Sequence, residues 1–262
     1  MSKISNKNPQ EVSTSVKPTD NALLAAFPVE VQERLFPHLE LCPLNLGKVL
    51  YEAGDAMRYV YFPTDSIISL VYEMEDGASA EISVVGLEGL LGIAAFMGGE
   101  STPSRAIALH AGNCYRLPAQ RLQYEFNNDS VVRSILLRYT QTLIAQMAQT
   151  AVCNRHHTID QQLCRWLLLS LDRLPGDKIS MTQELIANML GVRRESVTEA
   201  AGKLQHRGVI RYQRGRITVV DRPQLEALCC ECYAVVKKEA IRLNPGKYMH
   251  HKVTYEPNIA TI

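Results

Sequence analysis

Hydrophobic residues between Lys48 and Leu117 fall in short runs that glycines separate, a pattern typical of β-strands. Asp76-Gly77 lies between two of these runs and is a strong signal for a hairpin turn, because glycine accepts a positive φ. Short strands at this spacing predict a small antiparallel barrel or roll. The predicted strands are Tyr59 to Phe62, Ile67 to Tyr72, Ala80 to Val85 and Arg105 to Leu109.

After Asp129 the hydrophobic period becomes helical for nearly thirty residues, which is about 40 Å of helix at 1.5 Å per residue. A helix of that length extends beyond any small core of its own subunit. A second copy of the chain is therefore the expected partner, with Gln146 as a polar residue that sets the register of the seam. Packing within one subunit is the alternative. The periodic residues are Val132, Leu136, Tyr139, Leu143, Met147 and Thr150.

A further helix is predicted to begin at Thr158, because Thr158 and Gln161 have the spacing of a capping box. Proline beside glycine at Pro175-Gly176 ends a helix and supplies a turn. The apolar side of this helix consists of Leu163, Trp166, Leu167 and Leu171.

Residues Thr182 to Val220 carry the most informative pattern in the chain. Thr182 can cap a first helix, Gly191 stands where the chain leaves it, and a second helix begins near Arg194. Ala187 is small enough for two helices to cross closely, which favours a helix-turn-helix over a generic helical hairpin. Two strands then follow on either side of Gln213-Arg214-Gly215, so the pattern predicts a winged helix-turn-helix. The buried residues of the two helices would be Leu185, Ile186, Met189, Leu190, Val197, Ala200, Ala201 and Leu204.

The polar face of the second helix offers the side-chain types that read bases: arginine for guanine, glutamate for the cytosine amino group, serine or threonine for either. Arginines in the wing would contact phosphates, which position the protein without specifying sequence. For any single residue the alternative is a solvated charged face. The predicted DNA-binding residues are Arg193, Arg194, Glu195, Ser196, Thr198, Glu199, Lys203, Arg214 and Arg216.

The net charge of +1 conceals a division along the chain. Residues 20–125 hold 6 Lys and Arg against 14 Asp and Glu, a net of −8, whereas residues 180–222 hold 8 against 4, a net of +4. Only the second segment is therefore expected to meet a polyanion. Uneven surface charge without a partner is the alternative.

The composition and the first residues exclude other classes of protein. No apolar run approaches the roughly 18 residues that a membrane span needs, and residues 1–20 lack the apolar region of a secretory signal. Seven cysteines without framework spacing indicate reduced thiols in a cytoplasmic protein. No Walker loop, nucleophile elbow or zinc-protease motif is present, so no enzymatic activity is expected.

The segment Arg194-Glu195-Ser196-Val197 resembles the recognition-helix motif of the Crp/Fnr family of bacterial transcription regulators. The resemblance extends over roughly residues 20–225 and implies an α+β fold: an antiparallel, cyclic-nucleotide-binding-like β-roll, a long dimerisation helix and a winged helix-turn-helix. It also implies that Arg194 and Glu195 read bases. Glu199 departs from the arginine that many members carry, so a different half-site is expected. The expected segments are a disordered tail (1–20), the sensor roll (21–128), the dimerisation helix (129–157), the DNA-binding domain (158–235) and a C-terminal tail (236–262).

Nucleotide-responsive members hold the ribose and cyclic phosphate with a Gly-Glu pair and a later arginine. Here the corresponding segment keeps Gly89 and Gly92, but Ser104 stands where the arginine belongs and Arg105 comes one residue late. A shift of one residue on a strand reverses the direction of the side chain. The resemblance therefore implies a degenerate phosphate site that does not respond to cyclic AMP, with no cofactor and an unknown effector.

Cys229, Cys230 and Cys232 are close to a metal-ligand spacing, but adjacent cysteines do not easily face one ion. No metal site is therefore predicted, and redox or metal sensitivity is the alternative. The expected partners are double-stranded DNA, a second copy of the chain and RNA polymerase. A cyclic-nucleotide-type module that acts through a protein partner is the competing function.

Overall fold

The computed structural model describes residues 16–174 and 176–244 and has the predicted α+β fold. The expected tail over 1–20 lies mostly outside these residues, although Pro18–Asp20 form a 3-10 turn. The first domain has three short helices, two before its first strand and one between its fifth and sixth strands: α1 (Ala22–Ala25), α2 (Val29–Leu35) and α3 (Ala94–Met97). Among the described residues no helix is both long and apolar enough to cross a bilayer.

The roll consists of two antiparallel sheets. One has the order β1-β7-β3 and the other β2-β6-β4-β5. The hairpin between β4 and β5 turns at the predicted place, with Gly77 at φ 83° and the Asp76 carboxylate accepting the Ala78 N–H. The strands are β1 (Glu40–Leu44), β2 (Val49–Tyr51), β3 (Tyr59–Pro63), β4 (Ile67–Glu73), β5 (Ser79–Val85), β6 (Arg105–His110) and β7 (Gly112–Pro118).

Helix α4 (Ala119–Asn128) leads into the long helix α5 (Ser130–His156), whose first N–H groups are capped by Asp129. The predicted apolar stripe of α5 packs mainly on its own subunit. Val132, Leu136 and Tyr139 join the core beneath β3 and α4, and Leu143 packs into the core of the second sheet. Assigning this stripe to a dimer seam was therefore wrong.

Gln146 does not lie in a seam either, because its side chain is buried inside its own subunit. Its amide donates to Ser83 Oγ at 2.6 Å and to the Val84 carbonyl at 3.1 Å, and its oxygen accepts from Arg173. Arg173 in turn donates to Glu88 at 2.6 Å. The long helix, the roll and the segment after α6 therefore meet in one buried polar network.

The opposite side of α5 is exposed and carries a second repeat. Leu137 and Ile144 are 49% and 54% exposed. With three further exposed residues they recur at alternating spacings of four and three, the heptad spacing of a coiled-coil seam. We call this set the outer stripe of α5: Leu137, Gln141, Ile144, Ala148 and Ala151.

Between residues 158 and 244, leaving out residue 175, the structure describes five helices and a sheet of three strands in the order β8-β10-β9. The two-stranded wing predicted from the sequence therefore has a third strand, because Lys178–Ser180 pair with Arg216 to Thr218. The elements are α6 (Ile159–Leu171), β8 (Lys178–Ser180), α7 (Gln183–Leu190), α8 (Arg194–His206), β9 (Ile210–Gln213), β10 (Arg216–Val219), α9 (Arg222–Leu228) and α10 (Glu231–Leu243).

The tail expected over 236–262 begins as part of α10, and residues 245–262 lie outside the described residues. Helix α10 packs along α5 because Cys232, Tyr233, Val236, Ala240 and Leu243 share one face and are buried. A hydrogen bond from Asn244 Nδ2 to Thr142 Oγ1 (3.1 Å) joins the end of α10 to the middle of α5.

One continuous hydrophobic cluster joins the roll to the C-terminal domain. Ile67 and Val84 of the roll belong to the same buried cluster as Trp166 of α6 and Met189 of α7. Ser79 Oγ also lies 3.5 Å from the Asn188 carbonyl. The helix-turn-helix is therefore docked on the β4-β5 hairpin of its own subunit.

Candidate nucleic-acid interface

Helices α7 and α8 form the helix-turn-helix through local interactions that the sequence predicts. Thr182 Oγ1 accepts the N–H of Leu185, which caps α7. Gly191 has φ 65°, and the next N–H, of Val192, returns to the Ala187 carbonyl at 3.0 Å. Only a residue that tolerates the left-handed conformation ends a helix in this way, so the turn depends on Gly191.

The polar face of α8 points to solvent. Arg193 is the N-cap residue, and its side chain makes no capping hydrogen bond. Arg194 and Glu195 are exposed in the first turn, and Ser196 is half-buried. The hydroxyl of Thr198 donates to Gln183 Oε1 at 2.8 Å or to its own helix, so it is less free to contact a base than the sequence implied.

Lys203 is engaged within the subunit. Its ammonium lies 2.9 Å from Glu199 Oε1 and 3.1 Å from Asp160 Oδ2, and these carboxylates raise the pKa of Lys203 above its ordinary value. A phosphate would have to compete with two carboxylates for this ammonium. Of the predicted DNA-binding residues on α8, Arg193 and Arg194 are therefore the better placed cations.

The wing presents its arginines at a tight two-residue turn between β9 and β10, where Gln213 pairs with Arg216. Arg214 and Gly215 occupy the turn with φ of 48° and 75°. Positive φ at both central residues is the type I′ geometry, which glycine and asparagine favour over arginine. The turn therefore holds the Arg214 side chain at the tip of the wing in spite of a local conformational cost.

A groove of about 430 Å³ separates the wing from the two helices. Arg194 borders it on the helix side and Arg214 on the wing side, so the groove has an arginine on each side. Tyr212 also lines the groove, and its hydroxyl donates to the Met181 carbonyl at 3.0 Å. The groove is lined by Thr182, Gln183, Glu184, Arg194, Tyr212, Arg214 and Gly215.

The roll encloses a smaller cavity of about 100 Å³ against α5. Its lining is mainly apolar and includes Leu143 and Met147 of α5. The hydroxyl-bearing residues of the lining are Tyr51, Tyr72, Thr102 and Ser104. Arg105 does not line it. The Arg105 guanidinium lies 2.7 Å from Glu73 and 3.1 Å from Glu52, between strands.

Close packing against neighbouring side chains explains the glycines at positions 89 and 92. A Cβ on Gly89 would lie 2.1 Å from Cε2 of Tyr139, whose hydroxyl donates to the Leu90 carbonyl. Gly92 has φ 114° and would place a Cβ 3.0 Å from Met57 Sδ. These contacts account for both glycines without a phosphate.

Four metal-ligating side chains meet where α5 ends and α10 begins. The donor atoms of Cys153, His157, Cys230 and Cys232 all lie within 4.8 Å of one another. Cys229, which completes the sequence cluster, is not part of this group. The sequence pattern could not show this group of four, because Cys153 and His157 lie about 75 positions before Cys230 and Cys232.

An exposed helix that begins at Arg193 and Arg194, beside a wing that carries Arg214 and Arg216, on a chain with an N-terminal roll, is the architecture of a two-domain DNA-binding transcription regulator. Comparison with known proteins agrees. The model of the cyclic nucleotide-binding domain family matches residues 42–129, and that of the Crp-like helix-turn-helix domain family matches residues 161–228. The chain belongs to the Crp/Fnr family of transcriptional regulators, whose members are regulators and not enzymes.

Two curated relatives are similar over most of their length. The global nitrogen regulator of Synechococcus elongatus is 21% identical over 212 residues, 77% of this chain and 94% of the relative. The transcriptional activator protein anr of Pseudomonas aeruginosa is 25% identical over 199 residues, 71% of this chain and 79% of the relative. A crp/fnr-family regulator from Eubacterium rectale has the same fold, with a TM-score of 0.63, 16% identity and coverage of 80% of this chain and 98% of that one.

Proposed function

We propose that the protein acts as a homodimer on a two-fold symmetric operator in double-stranded DNA. The observation that carries the proposal is the outer stripe of α5, an exposed heptad repeat on a helix whose other side is already covered. Apolar side chains at heptad positions are buried when two such helices pack together. Two copies of α8 related by a dyad would then reach half-sites about 34–36 Å apart.

Ile144→Glu tests the dimer, since Ile144 lies in the middle of the outer stripe and contributes little to the core of its own subunit. We expect the variant to remain folded, to sediment as a monomer and to lose operator affinity. Met74→Glu, at a residue that is 65% exposed in the roll, is the matched control and should remain a dimer with unchanged operator affinity. A monomeric variant that binds DNA with full affinity would contradict the proposal.

We infer that α8 reads the sequence and that the wing positions the protein. Arg194, with Glu195 beside it in the exposed first turn, is the principal base-reading residue, and Arg193, Ser196, Thr198 and Glu199 complete the face. Arg214 and Arg216 contact phosphates, and Lys203 contributes only if it leaves its carboxylates. The groove between Arg194 and Arg214 supports this division, because it places one cation on the helix side and one on the wing side.

The two roles predict different effects of substitution. Arg194→Ala should weaken specific binding by about 1–3 kcal/mol and relax the preference at one base pair. Arg214→Ala should weaken binding to all sequences and reduce the salt slope by about one. Lys238→Ala, an exposed cation on α10, is the control. Binding titrations at several salt concentrations separate the two, and identical behaviour of both arginine variants would refute the division.

We propose that cyclic AMP is not the effector. The cavity of about 100 Å³ is smaller than the roughly 300–1,000 Å³ of typical ligand pockets, and no arginine lines it. A cyclic phosphate inside it would leave its charge without a cation. Arg105 is held outside by Glu52 and Glu73. An unidentified effector that is small and largely apolar suits this lining better.

Calorimetric titration of cyclic AMP into the purified protein is the direct measurement, and we expect no binding at physiological concentration. Micromolar binding that Arg105→Ala abolishes would show that the side chain turns inward. DNA binding measured in the same samples separates this result from the operator proposal.

The protein is further proposed to act in the cytoplasm, where its DNA target lies, to contact RNA polymerase, and to have no catalytic activity of its own. The competing function is that of a cyclic-nucleotide-type module that acts only through a protein partner. Such a module does not require an exposed α8 or a basic wing. Selection of bound genomic fragments with the purified protein distinguishes the two. Failure to enrich any fragment would favour the module.

A further inference from the structure

Cys153, His157, Cys230 and Cys232 come from two elements that only the fold brings together. Cys153 lies in the last turn of α5, and His157, four positions later, is the C-cap residue of that helix, whose N–H donates to the Cys153 carbonyl. Cys230 is the N-cap residue of α10, and Cys232 lies in its first turn. The three cysteines are 0–5% exposed and His157 is 14% exposed, so the donors face one another and not solvent.

Two of the six distances between donor atoms match the edges of a tetrahedron around a single ion, and the other four are at most 4.8 Å. With Zn–S of about 2.3 Å and Zn–N of about 2.0–2.1 Å, the edges of the tetrahedron are about 3.8 Å between sulfurs and about 3.5 Å between sulfur and nitrogen. Here Sγ of Cys153 and Sγ of Cys230 are 3.6 Å apart, and Sγ of Cys232 lies 3.4 Å from Nδ1 of His157. A covalent disulfide needs about 2.05 Å.

The surroundings have the features that support metal ligands. Nε2 of His157 lies 3.2 Å from Oε2 of Glu231, while Nδ1 lies next to Sγ of Cys232. A carboxylate behind a ligating histidine is the usual arrangement at zinc sites. Gln149 Nε2 donates to Cys232 Sγ at 3.0 Å. The buried Arg165 interacts electrostatically with Cys153, so a positive charge lies near sulfurs that metal binding would make negative.

We propose that these four side chains bind one zinc-type divalent cation in a Cys3His site that fastens α10 to the end of α5. Three thiolates and one imidazole in a closed, buried shell are typical of structural zinc. His157 is also the last residue before Thr158, the N-cap of α6. The ion would therefore fix the segment that connects the long helix to the DNA-binding domain.

The wild-type chain provides the first test. The full-length protein, reduced, saturated with zinc and desalted, should retain about one zinc per chain by elemental analysis. Cobalt(II) as a probe should give the intense visible bands of a tetrahedral ion together with thiolate-to-metal charge transfer. Zinc should also slow amide hydrogen exchange over Glu231–Leu243, because the ion holds the start of that helix.

Variants identify the ligands. Cys232→Ser should lower zinc affinity by more than tenfold, and Glu231→Gln, which removes the carboxylate behind His157, by about 10–100-fold. Cys229→Ser is the matched control: its thiol is adjacent in sequence but outside the donor group, so affinity should not change. Glu231 is 73% exposed, so its substitution leaves the core intact.

Three results would overturn the proposal. One is a wild-type chain with free thiols by titration that retains no zinc and gives no tetrahedral cobalt spectrum. Another is a Cys153–Cys230 disulfide in the protein from cells, together with no zinc binding after reduction, which would make the pair a redox element. The third is a loss of zinc in Cys229→Ser equal to that in Cys232→Ser.

Discussion

Glu81 carries an ionisable carboxyl into the boundary between the roll and the helix-turn-helix. Its side chain on β5 is buried and accepts a hydrogen bond of 2.6 Å from Ser69, whose hydroxyl also lies 3.4 Å from Met189 Sδ of α7. Burial raises the pKa of Glu81 from 4.5 to about 7, while the Ser69 hydroxyl and the Arg165 and Arg173 guanidinium groups act in the opposite direction. The folded state therefore favours the protonated carboxyl.

The pH range of the effect follows from the sign of this shift. Below pH 4.5 the carboxyl is protonated in both the folded and the unfolded chain, so Glu81 does not lower the free energy of unfolding. Between pH 4.5 and about 7 the unfolded chain ionises first, and the folded state loses stability as the pH rises. Above about pH 7 the loss is complete. At about 1.4 kcal/mol for each tenfold change in proton affinity, it amounts to about 3 kcal/mol.

Glu81→Gln keeps an oxygen for the Ser69 hydroxyl and removes the ionisation. We expect the variant to gain about 3 kcal/mol of unfolding free energy over the wild type at pH 8 and less than about 1 kcal/mol at pH 5. Urea unfolding followed by circular dichroism at pH 5, 6, 7 and 8 measures this difference. Glu75→Gln, in the exposed hairpin next to β5, should show no such trend. A difference between Glu81→Gln and wild type that does not vary with pH would refute the reasoning.

Three further substitutions test other contacts. Arg214→Asn should stabilise the winged domain by about 1 kcal/mol in thermal unfolding, because asparagine tolerates φ 48°, while weakening DNA binding; an unchanged or lower melting temperature would contradict this. Gly89→Ala should destabilise the chain by at least about 1–3 kcal/mol in urea, since its Cβ would overlap the Tyr139 ring, and a neutral result would mean that the ring moves freely. Glu199→Arg should shift the selected operator toward guanine at one position and leave Lys203 paired with Asp160 alone; an unchanged operator would show that this residue faces no base.

The helix-turn-helix could be predicted from the sequence because local interactions define it. Gly191 ends α7 through its own backbone conformation, and within each helix the buried apolar residues lie a turn or two apart. The third strand of the wing was missed, since Lys178–Ser180 is too short to show an alternating pattern and is defined by its partner. Short elements stabilised by distant pairing carry little signal of their own.

The long helix shows where periodicity alone is insufficient. Both sides of α5 carry apolar repeats, so its length followed from the pattern, but the choice of buried side did not. The roll and α10 cover the side that includes Leu143, and the side with Ile144 is left exposed. The Cys3His group was missed for a related reason: Cys230 and Cys232 acquire their partners Cys153 and His157 only through the packing of α10 on α5. The predicted DNA-binding residues and domain boundaries stay predictions.

The hydrophobic cluster that joins Ile67 and Val84 of the roll to Trp166 and Met189 sets an energetic requirement on any signal that this regulator receives. Moving the DNA-binding domain away from the roll would expose that surface to water at about 25 cal/mol per Å² of apolar area. A ligand shifts an equilibrium only by the difference between its affinities for the two states. An effector that repositions α8 must therefore prefer the separated arrangement by at least the free energy of this contact, and tight binding to both arrangements would leave the regulator unchanged.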